Sequence, residues 1–150
     1  MQYTRRVIMK GGVALLALAS LPGTLLAAVW PQNTFSSRTT SEALKALFGT
    51  DVTTPSDRID MKVPAIAENG AVVPVTIKTS LENVESISIV VKNNPRPMAA
   101  TFEIPPGTLP KIASRIKMGE TSDVMAVIKT SNGIYSTTSE VKVTIGGCGG

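Results

Sequence analysis

One thiol and no imidazole define the chemistry open to this chain: Cys148 is its single cysteine and histidine is absent. Without histidine, Ser-His-Asp and Cys-His nucleophilic catalysis and every imidazole-based metal site drop out. Without a second cysteine there is no intramolecular disulfide, no CxxC redox pair and no cysteine-rich zinc site, so sulfur chemistry at Cys148 must involve another molecule. The thiol stands in Gly146-Gly147-Cys148-Gly149-Gly150, at the extreme C-terminus, directly after the β-branched run Val141 to Ile145. Glycine has no Cβ and adopts φ of either sign. The segment therefore reads as a flexible carrier arm, narrow enough for its tip to enter a channel in another protein. At about 3.3–3.6 Å per residue, Cys148 reaches roughly 10 Å beyond Ile145.

That thiol is accessible but not activated. No helix N-terminus or fixed cation adjoins it in sequence, and a terminal carboxylate two residues away disfavours the thiolate, so its expected pKa lies near or above the usual thiol range. Such a group suits a covalent handle, loaded and unloaded inside other proteins' active sites. The plain alternative is a disordered tail with an incidental cysteine, yet a free thiol in an oxidising compartment is a liability.

The other end of the chain sets that compartment. Arg5-Arg6-Val7-Ile8-Met9-Lys10 precedes an apolar run from Val13 to Leu26, the pattern of a secretory leader with twin-arginine character. Residues 1–28 read as a cleaved signal peptide, with Ala27 and Ala28 offering a processing site. Interrupted by Ser20, Pro22 and Gly23, the run is too short and broken to span a bilayer stably, so no membrane insertion is expected after processing; an N-terminal anchor is the alternative. The leader holds three cations and no acid. Without it, Lys and Arg fall from 15 to 12 against 11 acids, and the net charge falls from +4 to +1. No basic stripe remains and the few aromatics are not interleaved with cations, which argues against nucleic-acid binding.

Between these ends, 29–57 reads as an N-terminal segment with a short helix. Thr39 and Glu42 form a capping box ahead of Ala43, Leu44, Leu47 and Phe48, and Gly49 suits the stop. From 58 to 145 the periodicity becomes two: Ile59, Met61, Val63; then, after the turn Glu68-Asn69-Gly70, Ala71, Val73, Val75, Ile77; then Ile87, Ile89, Val91. Pro74 predicts an edge position or a bulge. The loop Asn93-Asn94-Pro95-Arg96-Pro97 leads to a strand around 99–104, a Pro105-Pro106-Gly107 turn, and alternating Ile112, Ser114, Ile116 and Met118. Asn132-Gly133 predicts a hairpin whose two turn residues both take positive φ, with Ile134 to Thr138 pairing back and Val141 to Ile145 as a final strand. Seven or eight short strands with no second helical segment predict an all-β, immunoglobulin-like β-sandwich with a short N-terminal helix. Asp57 with Asp60, or Glu82 with Glu85, are conceivable acid–base pairs, but carboxylates at strand ends and turns are usually solvated.

These features together resemble the SoxY family of the bacterial Sox thiosulfate-oxidation system. The resemblance rests on the Gly146–Gly150 terminus and the strand feeding it, Glu68-Asn69-Gly70 with Val73-Pro74-Val75, the Asn94-Pro95-x-Pro97 loop, and the leader. It implies a periplasmic, non-enzymatic carrier, without metal or cofactor, on which Cys148 is the covalent attachment site for sulfur intermediates of thiosulfate oxidation. It also implies a heterodimer with a SoxZ-like subunit. Three enzyme partners would serve the thiol: a SoxXA-like cytochrome that joins thiosulfate to it, a SoxB-like hydrolase that releases sulfate, and a SoxCD-like sulfur dehydrogenase. Two rivals stay open: a thiol-dependent sulfurtransferase, which needs a depressed cysteine pKa and a fixed pocket, and a periplasmic immunoglobulin-like adaptor whose tail is incidental.

Overall fold

The structure, a computed structural model, describes residues 32–144. The expected signal peptide over 1–28 and the arm Gly146, Gly147, Cys148, Gly149, Gly150 lie outside the described residues.

The helix expected from the capping signals is α2, Thr40–Phe48, preceded by a five-residue α1, Gln32–Ser36. Thr39 sits in extended conformation and its Oγ1 accepts the Glu42 N–H at 3.2 Å, while the Glu42 carboxylate accepts the N–H groups of Arg38 and Thr39. Gly49 closes the helix at φ 77°, donating its N–H to the Lys45 carbonyl. Ala43 and Leu44 are buried against Val90, Met98 and Val127, so α2 covers one face of a sheet. Those backbone donors, Arg38 first, hold the Glu42 carboxyl below its ordinary range. Its contribution to stability is therefore present above the ordinary carboxylate pKa and is lost as pH falls through the depressed folded value. Thr39→Ala removes the cap and is expected to cost about 1 kcal/mol, read as a lower denaturation midpoint with an unchanged m-value.

Nine strands follow: β1 Thr54–Pro55, β2 Ile59–Lys62, β3 Ile66–Ala67, β4 Val73–Thr79, β5 Val84–Val91, β6 Met98–Glu103, β7 Lys111–Ile116, β8 Ser122–Thr130 and β9 Gly133–Val143. One sheet has the order β1-β9-β8-β5-β6, with β3 also on β9, and the other the order β2-β4-β7. Alternation sends Ile87, Ile89 and Val91 of β5, Val124, Ala126 and Ile128 of β8, and Val73, Val75 and Ile77 of β4 into one buried cluster between the sheets. This is the immunoglobulin-like sandwich expected from the pattern. Pro74 tolerates its place because β2 pairs with β4 only from Thr76 to Thr79, which leaves β4 open on that side at Pro74.

The structure corrects the sequence reading in four places. A second helical segment exists, α1, whose five residues are too few to show a helical period. Strands β1 and β3 are two-residue parallel pairings with β9, also below any period. The two segments expected after the hairpin turn are one continuous β9, because β8 pairs with it from Gly133 to Val141 without a break. The hairpin connection itself is Ser131-Asn132, with Thr130 opposite Gly133; of the two expected positive-φ residues only Gly133 has one, at 150°. Thr130 secures that turn, its Oγ1 accepting the Asn132 N–H and donating to the Gly133 carbonyl.

Candidate functional site

Strand β9 runs from the hairpin turn toward Cys148, and its last described residues are held amide by amide. Lys142 donates its N–H to the Ala65 carbonyl at 3.0 Å and Thr144 donates to Ala67 at 3.2 Å, both toward β3. Val143, facing the opposite way, donates to Thr121 Oγ1 at 3.0 Å. Because β8 begins at Ser122, the Thr121 hydroxyl extends the ladder one step past the strand that pairs with β9. Val141 is fully buried, Val143 half-buried and Thr144 exposed, so β9 leaves the core over these residues.

Three loops lock around this root. Beyond β3, the Asn69 side chain accepts the Ala71 N–H, and the Gly70 carbonyl accepts the Met118 N–H at 2.7 Å. Gly70 is required by close approach: a Cβ there would lie 2.5 Å from the Met118 carbonyl oxygen and 2.9 Å from Val143 Cγ1. From the β5–β6 loop, Asn94 Nδ2 donates to the Lys117 carbonyl and its Oδ1 accepts the Gly119 N–H. Asn93 donates through its side chain to the Thr121 carbonyl and through its backbone to Ser122 Oγ. Loop 117–121 is thus fixed by Asn94 and Gly70, and through Thr121 it fixes Val143.

Cys148, the residue singled out for chemistry, follows Thr144 by four positions and lies with its glycines outside the described residues. Asn69, Gly70, Asn93, Asn94 and Thr121 were not legible as site residues. Glu68-Asn69-Gly70 and Asn94-Pro95-x-Pro97 supported the family resemblance, but as local segments they read as turns; the partners that give them a role are distant in sequence.

Of the carboxylates conceivable as acid–base pairs from sequence, one in each pair is taken up by a lysine. Asp60 pairs with Lys78 at 2.9 Å, and that contact holds its carboxyl below the ordinary range. Glu85 pairs with Lys129 at 2.9 Å, which raises the lysine pKa. Asp57 and Glu82 are exposed. A cavity of about 950 Å³ opens at the far end of the sandwich, beside Leu81, Val84, Ile104, Pro105 and Ser131, away from the β9 terminus. On the root face, Lys92 pairs with Asp123 at 3.6 Å. Arg96 and Lys117 are exposed and belong to none of the ion pairs among the described residues.

The family model described as sulfur oxidation protein SoxY matches residues 44–148, so the match spans the sandwich and runs as far as Cys148. Among solved structures, the sulfur carrier protein SoxY from Chlorobium limicola f. thiosulfatophilum is 39% identical, with a TM-score of 0.63, over 69% of this chain and 94% of that one. An engineered protein aligns at 17% identity and TM-score 0.40 over 58% of this chain and 20% of its own. A lytic polysaccharide monooxygenase from Jonesia denitrificans aligns at 15% identity and TM-score 0.38 over 72% of this chain and 74% of its own. None of the curated proteins matches the chain.

Proposed function

Given that the chain belongs to the SoxY family of sulfur oxidation proteins, we propose that it is a covalent carrier of sulfur intermediates in thiosulfate oxidation, with Cys148 as the attachment point. The observation that carries this reading is a single thiol, set between paired glycines four residues beyond a rigidly anchored strand end. A fixed root and a narrow tether let one sulfur visit several active sites without dissociating.

The chemistry asked of the chain is limited. In loading, the Cys148 thiol and the sulfane sulfur of thiosulfate form a sulfur–sulfur bond with loss of one proton and two electrons. Those electrons go to a c-type cytochrome partner resembling SoxXA. In release, water adds across the bond to the terminal sulfone on a hydrolase resembling SoxB; hydrogen sulfate leaves and a persulfide remains on Cys148. That persulfide is oxidised by a sulfur dehydrogenase resembling SoxCD or shed as elemental sulfur. Export by the twin-arginine route would place the carrier in the periplasm, paired with a SoxZ-like subunit.

Intact-mass spectrometry of protein purified from its host tests the reading. Reductant-sensitive additions of about 32 Da for one sulfur and about 112 Da for a thiosulfonate, confined to the peptide holding Cys148, are the expected result. A single unmodified mass from cells oxidising thiosulfate would count against carriage. Iodoacetamide titration separates the sulfurtransferase rival: a carrier thiol is expected to react along the usual thiol range, whereas an apparent pKa well below neutrality would mark an activated nucleophile.

A further inference from the structure

Strand alternation turns one face of the β2-β4-β7 sheet away from the core, and that face gathers charge of one sign. While Val73, Val75, Ile77 and Ile116 point inward, the residues between them face out. Register sets Asp60, Lys78 and Lys111 in one row across the three strands, with Lys62 and Arg115 in the rows beyond. All four cations are exposed. Lys78 pairs with Asp60 at 2.9 Å, whereas Lys62, Lys111 and Arg115 belong to none of the ion pairs among the described residues. Residues 32–144 hold 12 cations and 11 acids. Four cations and one acid stand on this face, so it carries +3 and the remainder −2. The loops at its two ends are mixed in sign, with Arg58, Asp57 and Glu82 at one and Lys117, Glu68 and Glu120 at the other, which confines the cationic area to the sheet. No basic stripe shows in the sequence, because the cations lie on three strands distant from one another along the chain.

Stability alone does not account for this arrangement. Lys78 and Lys111 are direct cross-strand partners; their Cβ atoms lie about 4.5–5.5 Å apart, and like charges so placed destabilise a sheet. With Lys62, Asp60 and Thr76 they line a recess of about 110 Å³, with room for a phosphate group. Between the charges stand Pro74, Thr76 and Ala113, none of them an aromatic or long apolar anchor. A protein interface needs such anchors at its centre and is depleted in lysine, and single-stranded nucleic acid needs aromatics to stack on. A lysine-rich face without anchors fits a diffuse anionic surface instead. We infer that this face is a peripheral docking surface for a bilayer containing anionic phospholipid, held through electrostatics by Lys62, Lys78, Lys111 and Arg115. Binding is then shallow, reversible and screened by salt. Because β9 belongs to the other sheet, a chain lying on this face keeps the strand end at Thr144 uncovered. The assignment does not depend on what Cys148 carries.

The test uses the full chain as purified from its host, with any subunit that stays bound, sedimented with vesicles of phosphatidylcholine alone or with about 30% phosphatidylglycerol. At about 50 mM salt the partition coefficient on anionic vesicles is expected to exceed that on neutral ones at least tenfold, and to fall at least fivefold by about 200 mM. K62E/K111E should lose at least tenfold of the anionic binding. It should still melt with the wild type, because Lys111→Glu places a carboxylate opposite Lys78; that readout separates lost binding from lost fold. R96E/K142E makes the same change in net charge away from this sheet and should stay within twofold of wild type. Equal binding of the wild type to both vesicle types, or an equal loss in the two double variants, would overturn the membrane assignment. So would an acidic protein that holds the wild type and is released by K62E/K111E while the vesicles bind neither.

Discussion

Replacing Cys148 by serine is expected to abolish sulfur carriage while leaving the fold untouched. The additions of about 32 and 112 Da vanish, and thiosulfate-dependent sulfate production by cells carrying the variant falls by at least two orders of magnitude. A hydroxyl cannot stand in for the thiol, because the cargo bond is a sulfur–sulfur bond formed and broken through thiolate chemistry. The melting temperature should be unchanged, since the hydrogen bonds that hold Val143 and Thr144 run to Thr121 and Ala67. The comparison also separates the adaptor rival from the carrier. An adaptor with an incidental tail keeps its activity in Cys148→Ser, and also when the tail is cut after Gly147. A carrier loses everything in both, and folds in both.

How much of this was legible in the sequence depended on the range of the interactions involved. Thr39, Glu42 and Gly49 were readable because a cap is built within a few residues of itself. Ile87, Ile89 and Val91 were readable because the alternation that buries them lies within one strand. Cys148 stood out by chemistry alone. The root that holds the arm was not readable in the same way. Thr121 matters because its hydroxyl meets an amide 22 residues on. Strand β3 matters because two residues pair with a strand more than seventy positions away. Such contacts leave no local period, so Asn69-Gly70 and Asn93-Asn94 read as turns. The Ser131-Asn132 connection shows the same limit in miniature, since the hydrogen bonds of the Thr130 hydroxyl to Asn132 and Gly133 are not specified by the Asn-Gly signal alone.

Gly70 offers the sharpest test of that root. Gly70→Ala should lower stability by about 1–3 kcal/mol, the usual range for overpacking a close-fitting site, with a fall in Tm of about 5–15 °C for a domain of this size. The cause is steric: the added methyl falls 2.5 Å from the backbone oxygen of Met118 and 2.9 Å from Val143 Cγ1. A backbone oxygen cannot rotate aside as a flexible side chain would. Either loop 117–121 or β9 must move, and both carry the hydrogen bonds that hold Val143. Faster amide exchange at Val143 and Thr144 should therefore accompany the loss of stability. Gly107→Ala is the matching control. Gly107 has φ 79° and open space around its Cβ position, so alanine there is strained by about 1–2 kcal/mol through the left-handed backbone alone. Exchange at Val143 and Thr144 should not follow beyond the change in global stability. If Gly70→Ala melts with the wild type, or if the two variants alter those amides equally, the close approach at Gly70 does not anchor the strand that carries the thiol.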